Sequence, residues 1–228
     1  MSEKATSLQK SEVRKRRLTG PIFSEATILA VFLVLFLGLA FFVKGFFTAN
    51  NLSNLVRQTS INGVIALGMT FVIISAGIDL SVGSTVGFSG MFIAVLMTQH
   101  GVGIFPALFL SLLGGTLVGI LNGILIYDGK VPPFIATLGT MTVFRGVIML
   151  VSGARMVSGL PKPFVNAAQI TILGLPSLFV VWLVATVFSA FILTKTVFGR
   201  NIYAIGSNPE AARLSGINIR WNIYGIYG

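Results

Sequence analysis

Residues 80–127 read LSVGSTVGFSGMFIAVLMTQHGVGIFPALFLSLLGGTLVGILNGILIY. These 48 residues carry no formal charge, and His100 is the one histidine among them. Soluble domains are roughly 25% charged, and an apolar run of about 18 residues is already long enough to read as a membrane span. At 48 residues the run is long enough for two spans, read from about Val82 to Thr98 and from Ile104 to Ile126.

The same pattern extends in both directions. Residues 163–194 form another uncharged run, and over the whole chain 54% of residues are hydrophobic and 10% charged. Further spans are predicted at Ala26–Val43, Ile61–Ile78, Pro133 to about Val151, and Gly174–Thr194. Between the first two, Phe46 and Phe47 precede polar turn formers and a short helix reaching Arg57, an interfacial pattern. The fold class is all-α: a polytopic transmembrane bundle of about six complete spans. Residues 221–228 resemble the start of a seventh. Eight residues cover only about 12 Å at 1.5 Å each, against roughly 30 Å of hydrocarbon, so this reading expects a chain cut short of further spans.

Basic residues orient the spans. Residues 1–25 form a tail holding Lys4, Lys10, Arg14, Lys15, Arg16 and Arg17. Beside a span, such a cluster favours cytoplasmic retention and contact with anionic lipid over nucleic-acid binding. The following apolar run is too long for a cleavable signal peptide and ends in no small-residue cleavage site. With the N-terminus inside, 11 basic residues fall inside and Lys44, Arg57, Arg155 and Lys162 fall outside, leaving Arg145 in the membrane. The count assumes a reversal between Gly77 and Gly83. A break within one long helix would change the parity.

The loop 195–220 carries the most deliberate local design. Asn208 is a suitable N-cap, Pro209 suits the first helical position, and Glu210 complements the helix dipole. Gly216 can adopt the left-handed conformation that ends a helix. A short helix is therefore predicted over 209–215. It is either a docking element or a capped surface helix with no partner. Ala211 and Ala212 are small enough to let a partner approach its backbone.

Other residues have two readings. Asp79, between apolar spans, is a polar element of a translocation path or part of a turn in which Asp79 or Ser81 accepts free N–H groups. A lipid-exposed carboxylate would cost about 3 kcal/mol. Gly77 and Gly83 are expected to let the backbone break. Gly115, Gly119 and Gly123 share one helix face suited to close packing, with Asn122 beside it as interhelical glue or ligand. Pro132 and Pro133 break one helix and start another that carries Thr137 and Thr140, where a binding site or a simple loop end fits. Arg145 snorkels, or pairs with Asp79 or a carbonyl. The chain has no cysteine, which removes disulfides and thiolate chemistry. No phosphate loop, second histidine or carboxylate cluster suggests a catalytic or metal site.

Three ordered blocks resemble a known family. The first is Gly199-Arg200-Asn-Ile-Tyr203-Ala204-Ile-Gly206-Ser-Asn208-Pro209-Glu210-Ala211-Ala212-Arg-Leu-Ser215-Gly216-Ile217. The second runs from Ala66-Leu-Gly68-Met69 to Gly77-Ile-Asp79-Leu-Ser81-Val-Gly83. The third is Gly119-Ile-Leu-Asn122-Gly123 followed by Val131-Pro-Pro-Phe-Ile-Ala-Thr137-Leu-Gly139-Thr140. Together they resemble sugar-importing ATP-binding-cassette permeases of the ribose, xylose, galactoside and autoinducer-2 type, and span roughly residues 50–220.

The resemblance implies a non-enzymatic permease subunit in the bacterial inner membrane that pairs with a second copy or a homologous permease. It implies ATP and Mg on a separate ATPase subunit, no cofactor on this chain, a substrate-binding protein that delivers sugar, and no nucleic-acid partner. On it, Gly199, Arg200, Gly206, Asn208, Pro209, Glu210, Ala211, Ala212, Ser215 and Gly216 form the ATPase-coupling loop. Asp79, Ser81, Asn122, Thr137, Thr140 and Arg145 are candidates for the translocation path, and a ribose-like monosaccharide is the expected cargo. The alternatives are a secondary carrier using Asp79 and Arg145, and a scaffold that only binds a partner. Orientation is directly testable. With cysteine at Ser207 as the sole thiol, a membrane-impermeant reagent should leave intact cells unlabelled and react after permeabilisation. Labelling in intact cells would reverse the topology.

Overall fold

The computed structural model describes residues 21–172 and 174–228; most of the expected basic tail, residues 1–20, lies outside them. Helices dominate. They are α1 (Pro21–Phe42), α2 (Ala49–Ile74), α3 (Val82–Thr98), α4 (Ile104–Tyr127), α5 (Pro133–Ser152), α6 (Lys162–Ala167), α7 (Ser177–Lys195), α8 (Val197–Ser207), α9 (Pro209–Leu214) and α10 (Ile219–Tyr227). A two-stranded antiparallel hairpin, β1 (Thr171–Ile172) and β2 (Leu175–Pro176), precedes α7. By length and composition, α2, α4, α5 and α7 can each cross a membrane, while residues 27–42 of α1 and α3 are apolar but shorter. At 17 residues, α3 reaches about 25 Å against roughly 30 Å of hydrocarbon.

The chain divides into two compact units at Leu55/Val56, inside α2. In the first, Phe46 and Phe47 meet edge to face and both lie edge-on to Phe36. Asn51 donates to the Phe46 carbonyl at 2.7 Å. The separate short helix expected before Arg57 is instead the first part of α2. No glycine or proline falls between Ala49 and Asn62 to stop it.

In the second unit α3 packs along both α4 and α5, and α10 packs along α4. One buried cluster joins Ile93 and Met97 of α3 to Ala107 of α4, with Leu160 and Phe164 against it. Arg57 donates to the Gln169 carbonyl at 3.3 Å, so the start of this part of α2 lies by the 152–176 connection. The other end of α2 meets α8: a side chain at Gly206 would overlap the Ile74 carbonyl. There Val72, Ile202, Ile226 and Tyr227 form a second buried cluster. The helices α2 and α3 therefore run in opposite directions, and residues 75–81 reverse the chain.

The reversal differs in detail from the glycine-driven break. The helix α2 ends with Ala76 donating to Ile73 and Gly77 to Val72, each at 2.9 Å. The left-handed residue is Ala76, at φ 59°, and Gly77 does not have positive φ. Gly77 is small for another reason: a Cβ there would lie 2.5 Å from the Tyr227 hydroxyl. Gly83 is already inside α3. The sixth expected span begins at Ser177 rather than Gly174, because Gly174 takes φ 80° in the hairpin.

The glycine face of α4 is filled by α10. A Cβ at Gly119 would overlap the Tyr227 carbonyl, and one at Gly123 would sit 3.0 Å from Tyr224 Cα. Gly115 instead faces Ser89. Large side chains here cannot be absorbed by rotamer changes, because the obstacle is backbone. Gly119→Leu should cost more than the usual 1–3 kcal/mol of overpacking and displace α10. Gly68→Ala, which meets nothing within 4 Å, should be neutral. Thermal unfolding of the two variants in detergent separates them: equal midpoints would contradict this packing.

Candidate functional site

The helix α9 has the caps its sequence requires. Asn208 Oδ1 accepts from the N–H groups of Glu210 and Ala211 at 3.1 and 3.0 Å. At the other end Gly216, at φ 83°, donates to Arg213 and Ile217 donates to Ala212. That pair of bonds is the Schellman arrangement, with glycine at the left-handed position. The helix ends at Leu214, and Ser215 is its C-cap. Arg213 forms a two-point pair with Glu210, at 2.5 and 3.2 Å. That hydrogen bond, with the guanidinium charge, holds the Glu210 carboxyl below its usual range. The pair therefore supports α9 above the ordinary carboxylate range and is lost as pH falls through Glu210's lowered value. Both side chains face solvent, so the support is small.

The two alanines face opposite ways. Ala211 is exposed, whereas Ala212 is buried against the chain itself. Close approach by a partner is therefore open at Ala211 and closed at Ala212. The outward side of α9 includes Glu210, Ala211, Arg213 and Leu214, and Leu214 is 77% exposed. Leu214 escaped the sequence reading, because one leucine in a six-residue helix has no periodicity to reveal its direction.

The flanking helices hold α9. Thr196 caps α8 by accepting from Gly199 at 3.1 Å. Gly199 is buried, and a Cβ there would overlap the Ile192 and Leu193 carbonyls. Arg200 is exposed, and Gly206 is pressed against Ile74. Asn218 accepts from Trp221 at 3.3 Å and caps α10. Arg220 Nε then lies 3.1 Å from Asp128 Oδ1 and 2.9 Å from the Tyr224 hydroxyl, which itself donates to Asp128. Nothing in the sequence joins Asp128 to Tyr224 across 96 residues; only the packing of α10 on α4 does.

Four of the six path candidates meet at the 75–81 reversal. Asp79 Oδ1 accepts from the backbone N–H and the hydroxyl of Ser81, both at 2.6 Å. Ser81 Oγ accepts from Asn122 Nδ2 at 2.8 Å. Thr137 Oγ1 accepts from the Leu80 N–H at 3.2 Å and donates to the Pro133 carbonyl. Ser81, Asn122 and Thr137 are buried in the chain, and Asn122 Oδ1 has no partner among the described residues. Thr140 is buried and donates only to the Ala136 carbonyl, beside an apolar groove of about 280 Å³ between α4 and α5. Arg145 is exposed further along α5 and forms no ion pair with Asp79.

This network ties α3 to α4, and the backbone of the reversal to α5. Interhelical hydrogen bonds in membranes average about 0.6 kcal/mol, with a maximum near 1.7. Ser81→Ala removes one such bond, from Asn122, together with the local bond to Asp79, and strands the Asn122 amide, so a loss of about 1–2 kcal/mol is expected. Thr142→Ala, which removes an exposed bond to the Leu138 carbonyl, should lose much less. Unfolding in detergent measures the difference, and equal losses would mean that the network does not join the helices.

Comparison with known proteins places this arrangement. Residues 51–227 match the family described as "Branched-chain amino acid transport system / permease component". The ribose import permease protein RbsC of Haemophilus influenzae is 43% identical over 180 residues, 76% of this chain and 55% of the relative. The D-allose transport system permease protein AlsC of Escherichia coli is 37% identical over 204 residues, 88% of this chain and 61% of the relative. The autoinducer 2 import system permease protein LsrD of an Enterobacter species is 38% identical over 172 residues, 73% of this chain and 52% of the relative. The chain thus spans just over half the length of these curated relatives. No solved structure matches it. The match covers all of α3 to α10, including the reversal at 75–81 and the capped helix α9, and the chain belongs to this family of transport-system permease components, as an all-helical multi-pass membrane protein.

Proposed function

We propose that this chain is the membrane-embedded permease part of an ATP-driven importer of a ribose-like monosaccharide, and that α9 is where it couples to a separate ATPase. The single observation that supports the coupling role is α9 itself. It is a six-residue helix capped at both ends, buried on its Ala212 side, with Leu214 presented outward. A leucine that its own chain leaves largely exposed is suited to a pocket on a partner. Glu210 and Arg213 supply a polar rim.

The sugar reading rests on the relatives, whose names are those of ribose, allose and autoinducer 2 permeases. On this reading the N-terminus and α8–α10 face the cytoplasm, the membrane is the bacterial inner membrane, and the permease pairs with a second copy or a homologous permease. A binding protein delivers sugar to the opposite face, and ATP and Mg are held by the ATPase. Gly199 and Gly206 then serve coupling by seating the loop on α7 and α2, and Ala212 by burying one side of α9, while Arg200, Glu210, Ala211 and Ser215 lie on the exposed surface. Asn208, Pro209 and Gly216 set the helix ends. Asp79, Ser81, Asn122 and Thr137 shape the reversal at the border of the path. Thr140 and Arg145 remain candidates along α5.

The test uses the full-length permease with its ATPase. Leu214→Asp should reduce ATPase co-purification and ATP-driven sugar uptake at least ten-fold while leaving membrane insertion unchanged. Gly216→Val should also impair uptake, since a β-branched residue at φ 83° is strained by about 1–3 kcal/mol. Normal assembly and uptake with Leu214→Asp would remove the docking role.

A further inference from the structure

We propose that α10 is a lever that carries movement of α9 into the 75–81 reversal, with Asp128, Arg220 and Tyr224 as the clasp fixing it to α4. The proposal rests on the reading of α9 as the ATPase-coupling helix.

The link from α9 to α10 is short and tied. Four residues, Ser215 to Asn218, separate them. Ser215, Gly216 and Ile217 all donate back into α9, and Asn218 caps α10. The two helices are thus joined without a slack segment, and a displacement of one moves the other.

The contacts of α10 run in order along its length. Its first turn is held by Arg220 against Asp128, which caps the C-terminal end of α4. The Arg220 guanidinium also lies over the Tyr224 ring at 5.6 Å. In the middle, Tyr224 Cα meets Gly123, and further on the Tyr227 carbonyl meets Gly119. These are contacts to glycines, so no flexible side chain of α4 cushions them. On the same stretch the Tyr227 hydroxyl lies 3.5 Å from the Ile78 carbonyl and close to Gly77, inside the reversal. The lever therefore touches the reversal directly and again through α4, where Asn122 is bonded to Ser81.

Asp128 and Arg220 are partly exposed and outside the buried network, so changing them need not unfold the helices. They act as positioning residues, and the test must detect transmission rather than stability. Cysteine at Ile78, whose side chain is half exposed, is introduced as the sole thiol of the full-length permease assembled with its ATPase. Its labelling rate by a small maleimide is measured with and without ATP trapped by vanadate, which requires no knowledge of the sugar. With Asp128 and Arg220 intact, trapping should change the rate at least five-fold. Arg220→Gln and Asp128→Asn should each reduce that change to under two-fold while ATPase co-purification and ATP hydrolysis persist. Exchanging the two charges, Asp128→Arg with Arg220→Asp, should restore at least half of it.

A five-fold change that survives both single variants would overturn the clasp. So would an Ile78→Cys rate that never responds to ATP, or variants that merely lose the ATPase in parallel. Failure of the underlying reading is distinguishable, because it shows as ATPase assembly that ignores Leu214→Asp.

Discussion

A backbone that leaves the helix where it is packed inside the protein must find partners for its polar groups there, since an unpaired buried N–H or C=O is costly. Residues 75–81 meet this constraint and organise what surrounds them. The helix α2 closes with its own bonds from Ala76 and Gly77. The Leu80 N–H is taken by Thr137, the Ser81 N–H by Asp79, and the Ile78 carbonyl faces the Tyr227 hydroxyl. Partners for one short segment thus come from α5, from the segment itself and from α10. Asn122 of α4 joins through Ser81.

The second organising feature is the absence of side chains on α4. Gly119 and Gly123 let α10 lie against backbone, and that approach brings Tyr227 to the reversal and Tyr224 to Asp128. Close packing of this kind is a main source of helix association where lipid offers no hydrophobic drive. It also places α9 on a firm base. The capped helix is itself small and exposed, but α8 is wedged against α2 on one side of it and α10 against α4 on the other.

The family assignment and the geometry meet on the same elements. The matched residues begin in α2 and run through α10. The proposed sugar path and the proposed ATPase contact lie at different places on one framework, linked by α10. The short, hydrogen-bonded connection at 215–218 would make the proposed partner-binding surface mechanically continuous with the membrane segment.

The sequence by itself determined what depends on composition and on local chemistry. Uncharged runs mark the spans because the cost of burying charge in lipid is paid residue by residue. Asn208, Pro209 and Gly216 mark α9 because capping involves atoms within a few residues of one another. Glycines spaced by four mark a packing face for the same reason. What filled that face was decided only by tertiary structure, as were the opposed directions of Ala211 and Ala212, the exposure of Leu214, and the meeting of Asp128 with Arg220 and Tyr224. Each depends on which helix arrives from far along the chain, and no local pattern encodes that. The reversal shows both levels in a single turn. Its position was legible from Gly77, Asp79 and Ser81, but the left-handed residue is Ala76, and Gly77 is small because Tyr227, 150 residues later, occupies the space beside it.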